Sequence, residues 1–458
     1  MNKTFIKLGM IVAFMLSFLT ASAYDFEVDG IYYTVTDFYK LECKIVKGDS
    51  KYEGGVVIPS TVNYNSKVLT VVAIGSNAFD GCSSMTSVKI PDSVTSIGQY
   101  AFRYCSSLTS LTIPDSVTSI GYSAFYDCGS LTRVTIGNSV TTIGSCAFEK
   151  CSSLMSVTLG SSITSIDNYA FKGCRSLTSV PIPESLRTIG IGTFENCSSL
   201  TSVTIPNSVR SLGNTAFRGC TSLEKITLSE NLYRVNGGTF CGCLKLESII
   251  IPGTIHEITQ YADYGTNNEI LTFSNLKKLV LSYSEEILKS SYFYYYNEIY
   301  KEIKWDSNLT YTLEEVFFDR QMVYDMPLPN VKTLSFGEHL KEVQVKDIEE
   351  CEKLETIVCY GTEPPYLPSC SNKQYMNVVV KVPQEALEKY QQAKNWKNFW
   401  NLQEFDPSQS SVDEIPASSV EKVETGRFNL NGQRVGEDYQ GIVIVRYSDG
   451  STRKLMTR

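Results

Sequence analysis

Eight consecutive copies of one pattern, I-G-x-x-A-F-x-x-C-x-S-L-x-x-V-x-I-P-x-S-V, fill the chain between Ile74 and Ile255. Cys82, Cys105, Cys128, Cys151, Cys174, Cys197, Cys220 and Cys243 mark the grid, each 23 residues after the last. A repeat of this length cannot bury its apolar face alone and must stack on its neighbours. The period therefore predicts a repeat solenoid, β-rich with short helical turns. A solenoid grows in one dimension, which suits 458 residues that exceed a single compact core. Its use lies in long exposed faces, not in an enclosed pocket.

Within each copy, L-x-x-V-x-I reads as a strand. In the second copy Leu111 and Ile113 point inward, and Ser110 and Thr112 outward. Pro114 ends the strand, because it has no N–H for the next coil. Val117 and Ile120 re-enter the core on the opposite side, and Ala124-Phe125 lies on a short turn. The Phe of every copy is expected inside, where burying each ring contributes about 1.5–3 kcal/mol.

The ends depart from the pattern. Residues 1–23 read as an export signal: Lys3 and Lys7, an apolar Leu8–Leu19, then Ala21-Ser22-Ala23 as the cleavage pattern. No later stretch approaches the roughly 18 apolar residues of a membrane helix. Residues 24–70 alternate and carry turn pairs at Asp29-Gly30 and Gly54-Gly55, as expected for a β cap over the first coil. The solenoid is assigned to 71–282. Irregular repeats and a closing cap follow at 283–405, where no copy is recognisable from Tyr283 to Asn330 and Pro383 opens a helix to Trp400. A Ser/Pro-rich linker covers 406–423, and a small β unit covers 424–458, with a hairpin turn at Asn431-Gly432.

Fourteen cysteines in an exported chain would ordinarily signal disulfides. The eight on the grid stack in a ladder about 4.8 Å apart. Their side chains point the same way, so they are expected reduced and buried. Cys43, Cys146, Cys241, Cys351, Cys359 and Cys370 lie off the grid and are the better candidates for pairing.

Chemistry is sparse. A formal charge of -8 argues against nucleic acid as a partner. Only His256 and His339 are present, and G-x-S-x-G is absent. The cysteine spacing is unlike that of zinc sites. No catalytic residue, metal or cofactor is assigned, and the chain is read as non-enzymatic.

Two surfaces remain as binding candidates. The outward strand positions Ser110, Thr112, Arg133, Thr135, Ser156, Thr158, Ser202, Thr204, Lys225 and Thr227 form two ladders on what is expected to be one long continuous sheet face. Hydroxyl ladders offer many weak hydrogen bonds, although Ser and Thr also simply suit an exposed strand. The second candidate is aromatic: Tyr292, Tyr294, Tyr295, Tyr296 and Trp305. It serves either as packing around an irregular coil or as a contact patch for protein or sugar.

The repeat residues resemble the BspA-like class of leucine-rich repeats. The cap segment Asp25–Tyr33 and the closing segment Val382–Phe399 resemble the same class. That resemblance implies a bacterial exported protein at the cell surface or outside the cell. It implies adhesion to host matrix or cell-surface proteins, or to other bacterial surface proteins. Glycan capture through the aromatic segment is the alternative. The tail pieces Leu430–Val435 and Gly441–Val445 resemble, more weakly, a type IX sorting module. The signal pattern predicts a mature chain that starts at Tyr24. Intact-mass measurement of the exported protein should show it, and a retained Met1 would refute it.

Overall fold

The computed structural model describes residues 24–236, 238–262, 269–270, 276–282, 289–293, 313–319, 328–343, 348 and 351–407, and strands 424–429, 434–435, 441–447 and 452–457. Residues 257–262, 269–270, 289–293 and the strands from 424 onward are described by backbone pairing alone. The expected export signal, residues 1–23, lies outside the described residues. The chain divides into two units, Met1–Phe405 and Asp406–Arg458.

In the first unit each repeat is one coil, numbered here 1 to 8 by its phenylalanine: Phe79, Phe102, Phe125, Phe148, Phe171, Phe194, Phe217 and Phe240. Three parallel ladders join successive coils. The first is the expected one, with Ser110–Ile113, Arg133–Ile136 and Ser156–Thr158 paired in register. Alternation is as expected: Leu111 and Ile113 are buried, Ser110 and Thr112 exposed.

The second ladder runs on the opposite side and is the longer. Two-residue strands such as Ser96–Ile97, Ser119–Ile120 and Thr142–Ile143 pair from coil to coil, as far as Ser211–Leu212. It joins the N-terminal cap directly, because Lys67–Ile74 pairs with both Glu42–Ile45 and Ser96–Ile97. Cap and solenoid therefore share one sheet, and no apolar end is left facing water there.

The third ladder lies at the Ala-Phe turn. N–H groups donate to carbonyls of the next coil 22 residues on: Tyr100 to Tyr122 (2.9 Å), Phe102 to Ala124 (2.7 Å) and Tyr104 to Tyr126 (2.8 Å). Each turn needs two left-handed residues, flanking Ala-Phe. In coil 2 these are Tyr100 (φ 56°) and Tyr104 (φ 61°), and in coil 4 Cys146 (φ 58°) and Lys150 (φ 63°).

Inside, the eight phenylalanines form a column. All are fully buried, and neighbouring rings are stacked with centroids between 4.9 Å (Phe79–Phe102) and 6.0 Å (Phe217–Phe240). Stacking adds about 0.5–1.5 kcal/mol per pair beyond burial.

Four expectations are corrected. The first face is not one continuous sheet: after Ser156–Thr158 only a single bridge, Ser156 to Ser179, continues it. Pro181 has no N–H to extend the pairing, and the ladder resumes at Ser202–Thr204 with Lys225–Thr227. Next, the stretch from Tyr283 to Asn330 does hold a coil. Glu315–Phe318 pairs with Lys278–Leu281 and Thr333–Phe336, and Leu313, Val316 and Phe318 take the buried positions. Phe in place of Ile hid the pattern.

The closing helix is also broken into pieces. Pro383 ends the strand Val379–Pro383, and only Leu387–Gln392 is α-helical. Asn395 turns left-handed at φ 69° before the short Trp396–Asn398 turn. Tyr390, Trp396 and Phe399 are nevertheless buried. Finally, none of the fourteen cysteines is in a disulfide, the off-grid ones included. Cys351 and Cys359 hold repeat positions of a degenerate coil, eight residues apart like Cys105 and Ile113.

The second unit is a small antiparallel sheet ordered Arg434–Val435, Glu424–Asn429, Gly441–Tyr447, Thr452–Thr457. The turn residues Asn431-Gly432 lie outside the described residues.

The glycine after Ile120 has a reason other than φ. A Cβ on Gly121 would stand 2.6 Å from the Gly98 carbonyl carbon of the coil before. A Cβ on Gly129 would meet nothing nearer than Ser152 Oγ at 4.0 Å. Gly121→Ala should therefore destabilise by about 3 kcal/mol and Gly129→Ala by less than about 0.5 kcal/mol. Urea unfolding of the two variants checks this, and equal effects would refute the close-approach account.

Candidate functional site

The outward positions of the first face are the primary candidates. Ser110, Arg133 and Ser156 lie in register across three strands, and Thr112, Thr135 and Thr158 form the neighbouring row. Ser202 and Thr204 face Lys225 and Thr227 on the far side of the Pro181 break. Thr135 is half-buried, and the other nine candidates are exposed.

Hydroxyls on this solenoid divide into two kinds. Just before the strands, Thr132 Oγ1 donates to the Thr109 carbonyl at 2.9 Å, and Thr109 to the Thr86 carbonyl at 3.4 Å. At the opposite ladder, Thr118, Thr141 and Thr164 do the same to the coil before. These threonines are structural. Among the described residues, the side chains of Ser110, Thr112, Thr135, Ser156, Thr158, Ser202, Thr204 and Thr227 make no hydrogen bond inside the chain. Arg133 and Lys225 form no ion pair among the described residues. Beyond Lys225 the same side is closed by ion pairs, Lys245–Glu224 at 2.8 Å and Lys277–Glu247 at 2.6 Å.

The aromatic candidates stand differently. Tyr292 belongs to the strand Lys289–Phe293, which pairs with Glu257–Ala262, and its side chain is not described. Tyr294, Tyr295, Tyr296 and Trp305 lie outside the described residues.

A further surface was not found from sequence. On the turn side, Tyr100 packs edge-on to Tyr122 at 5.3 Å, and Tyr104 to Tyr126 at 5.6 Å. Arg103 lies over the rings of Tyr100 (4.5 Å) and Tyr104 (5.2 Å) and grips Asp80 through two bonds of 2.9 and 3.1 Å. Lys150 lies 4.9 Å over Tyr126, and Lys172 4.9 Å over Tyr169. The signal was present as scattered Tyr, Arg and Lys beside each Ala-Phe. The repeat consensus averaged it away.

The thiol ladder is structural. Cys105 Sγ donates to the Phe79 carbonyl at 3.2 Å, and Cys128, Cys174, Cys197, Cys220 and Cys243 repeat that bond at 3.2 Å to the Phe 26 residues earlier. Burial pushes the Cys197 and Cys243 thiols up to about 12 and raises those of Cys128, Cys174 and Cys220 as well. A thiol held protonated is a poor nucleophile. Among the described residues no group of three or more His, Cys, Asp or Glu is placed to hold a metal, and no helix is long and apolar enough to cross a membrane.

Parallel strands at a 23-residue period around an Ile/Leu/Phe column define a leucine-rich-repeat solenoid. Its family model is the BspA type leucine rich repeat region, matched in 6 copies over residues 72–198 and 153–269. The match lies within the repeat region, residues 72–269. Among solved structures, a leucine-rich repeat protein from Bacteroides ovatus is 23% identical with a TM-score of 0.54, covering 84% of this chain and 100% of its own. At that identity the likeness shows the fold. A leucine rich cell surface protein from Faecalibacterium prausnitzii (21% identical, TM-score 0.34) covers 75% of this chain and 96% of its own. The pneumococcal vaccine antigen PcpA (18% identical, TM-score 0.37) covers 82% and 96%. Among curated proteins none matches the chain. Repeat proteins of this type are typically non-enzymatic scaffolds, at the surface or secreted.

Alkylation of the native protein should leave Cys105, Cys128, Cys151, Cys174 and Cys197 unmodified, and all fourteen should react after unfolding without reductant. Disulfide-linked peptides among the grid cysteines would refute the ladder.

Proposed function

We propose that this is a non-enzymatic adhesin, exported by its N-terminal signal, that binds host or bacterial surface proteins through the first sheet face of the solenoid. One observation carries the reading. The threonines beside the strands spend their hydroxyls on the neighbouring coil, whereas the strand-face hydroxyls have no partner among the described residues. A row of exposed donors and acceptors fixed at coil spacing is preorganised, so it loses little freedom on binding. Arg133 and Lys225 add positive charge at two points of an otherwise neutral face, favouring a partner that is acidic there. The break at Pro181 sets these candidates in two groups, each with one basic residue.

The mature chain, probed against matrix proteins and glycans on an array, identifies the ligand class. The four-fold change Thr112→Lys, Thr135→Lys, Thr158→Lys and Thr204→Lys should then abolish binding of the protein ligand found, with the circular dichroism unchanged. Single changes at Arg133 or Lys225 should weaken binding less than about tenfold and act mainly on the association rate. A folded four-fold variant that binds unchanged would place the contact elsewhere, and binding confined to glycans would overturn the protein-adhesin reading.

A further inference from the structure

The turn side of the solenoid carries conformational cost. Of the two left-handed positions per coil, coils 1, 5, 6 and 7 fill one with glycine, Gly81, Gly173, Gly192 and Gly219. Coils 2, 3 and 4 use none, placing Tyr100 and Tyr104, Ser123 and Asp127, and Cys146 and Lys150 there. A non-glycine residue in that region costs about 1–2 kcal/mol. Such outliers concentrate where a surface is used. Large apolar side chains are also exposed on this side: Tyr104 at 44%, Tyr122 at 43% and Ile191 at 39%. Tyrosine and arginine are the residue types enriched in protein interfaces.

The charges on this side follow an order. In the two positions after each Phe, coil 1 carries Asp80, coil 2 Arg103, coil 3 Asp127, coil 4 Glu149 and Lys150, coil 5 Lys172, coil 6 Glu195 and coil 7 Arg218. Read from the centre at coil 4, each of these residues has the opposite sign to its mirror image: Asp127 against Lys172, Arg103 against Glu195, and at the ends Asp80, which also holds Lys47 of the cap at 3.6 Å, against Arg218. Coil 4 carries both signs. Lys150 is exposed and the other seven are half-buried, so all reach the surface.

We propose that the turn side of coils 1–7 is a self-complementary interface, through which two copies of this chain associate about a two-fold axis at coil 4.

A two-fold contact is isologous, so each patch must complement itself after inversion of its order. This row does so. The same row laid parallel, coil upon like coil, would set each charge against its equal. Within one copy Arg103 already pairs with Asp80 at 2.9 Å and Lys172 with Glu195 at 3.1 Å. The axis lays each of these pairs beside a partner of reversed sense, so no charge is stripped of its internal contact. The coils are spaced by strand pairing, so seven of them span about 29 Å. That matches the width of a standard interface, about 800 Å² per partner or roughly 28 Å across. The pairs are partly solvated, so the complex should be reversible and sensitive to salt.

Sedimentation equilibrium of the full mature chain tests this without any other ligand. A monomer–dimer equilibrium is expected, its dissociation constant rising at least tenfold between low and high salt. Because the axis makes each substitution act twice, Lys150→Glu and, separately, Asp127→Lys should each weaken dimerisation at least tenfold while circular dichroism is unchanged. The charge exchange Glu149→Lys with Lys150→Glu should restore it to within about threefold. A chain monomeric at all concentrations overturns the proposal. So does a dimer that ignores both single changes, or an exchange variant that stays as weak as Lys150→Glu alone. Since this reads oligomeric state, its failure is distinguishable from loss of ligand binding on the sheet face.

Discussion

The repeat region depends on one geometric requirement. Every coil must close its circuit in 23 residues so that its backbone meets the next coil on three sides at once. The strand ladder, the two-residue ladder and the turn ladder all draw on that register. Each satisfies N–H and C=O groups that would otherwise be buried without partners. Insertion of one residue would break all three together, because a one-residue slip also turns inward side chains outward.

The thiols and phenylalanines work inside this frame. A Phe carbonyl at the turn accepts the thiol proton of the Cys one coil on, and the rings stack above and below. Cysteine suits this place because it is small, apolar and carries a weak donor. The abundance of cysteine is thus a packing feature, of thiols that burial keeps protonated.

The two faces differ in chemistry. Hydroxyls used between coils hold the solenoid together, and those left over on the strand face are available to a partner. The turn side carries tyrosines, cations and carboxylates whose order is legible only when the coils are aligned. One scaffold thereby presents two chemically different surfaces, a neutral hydroxyl face and an alternating charged one.

Much of this was legible in the residues themselves. The period, the inward Leu and Ile, the buried Phe and the reduced grid cysteines all follow from local spacing, since a strict repeat turns every position into a statement about its neighbours. Aperiodic features were not legible. The coil at Glu315–Phe318 was hidden by a Phe in the Ile position, and the closing helix was overextended because Asn395 was not foreseen as left-handed. Pro181 divides what was expected to be one continuous sheet face, because a missing N–H acts on the strand beside it and not on its own. The left-handed turn positions were invisible because Tyr, Lys, Cys and Thr occupy them in place of Gly. Sequence alone determined which residues face inward, because burial follows from periodicity. Only the tertiary structure decided which outward groups are free, because a hydroxyl or charge is free or engaged according to what the neighbouring coil brings within a few ångströms of it.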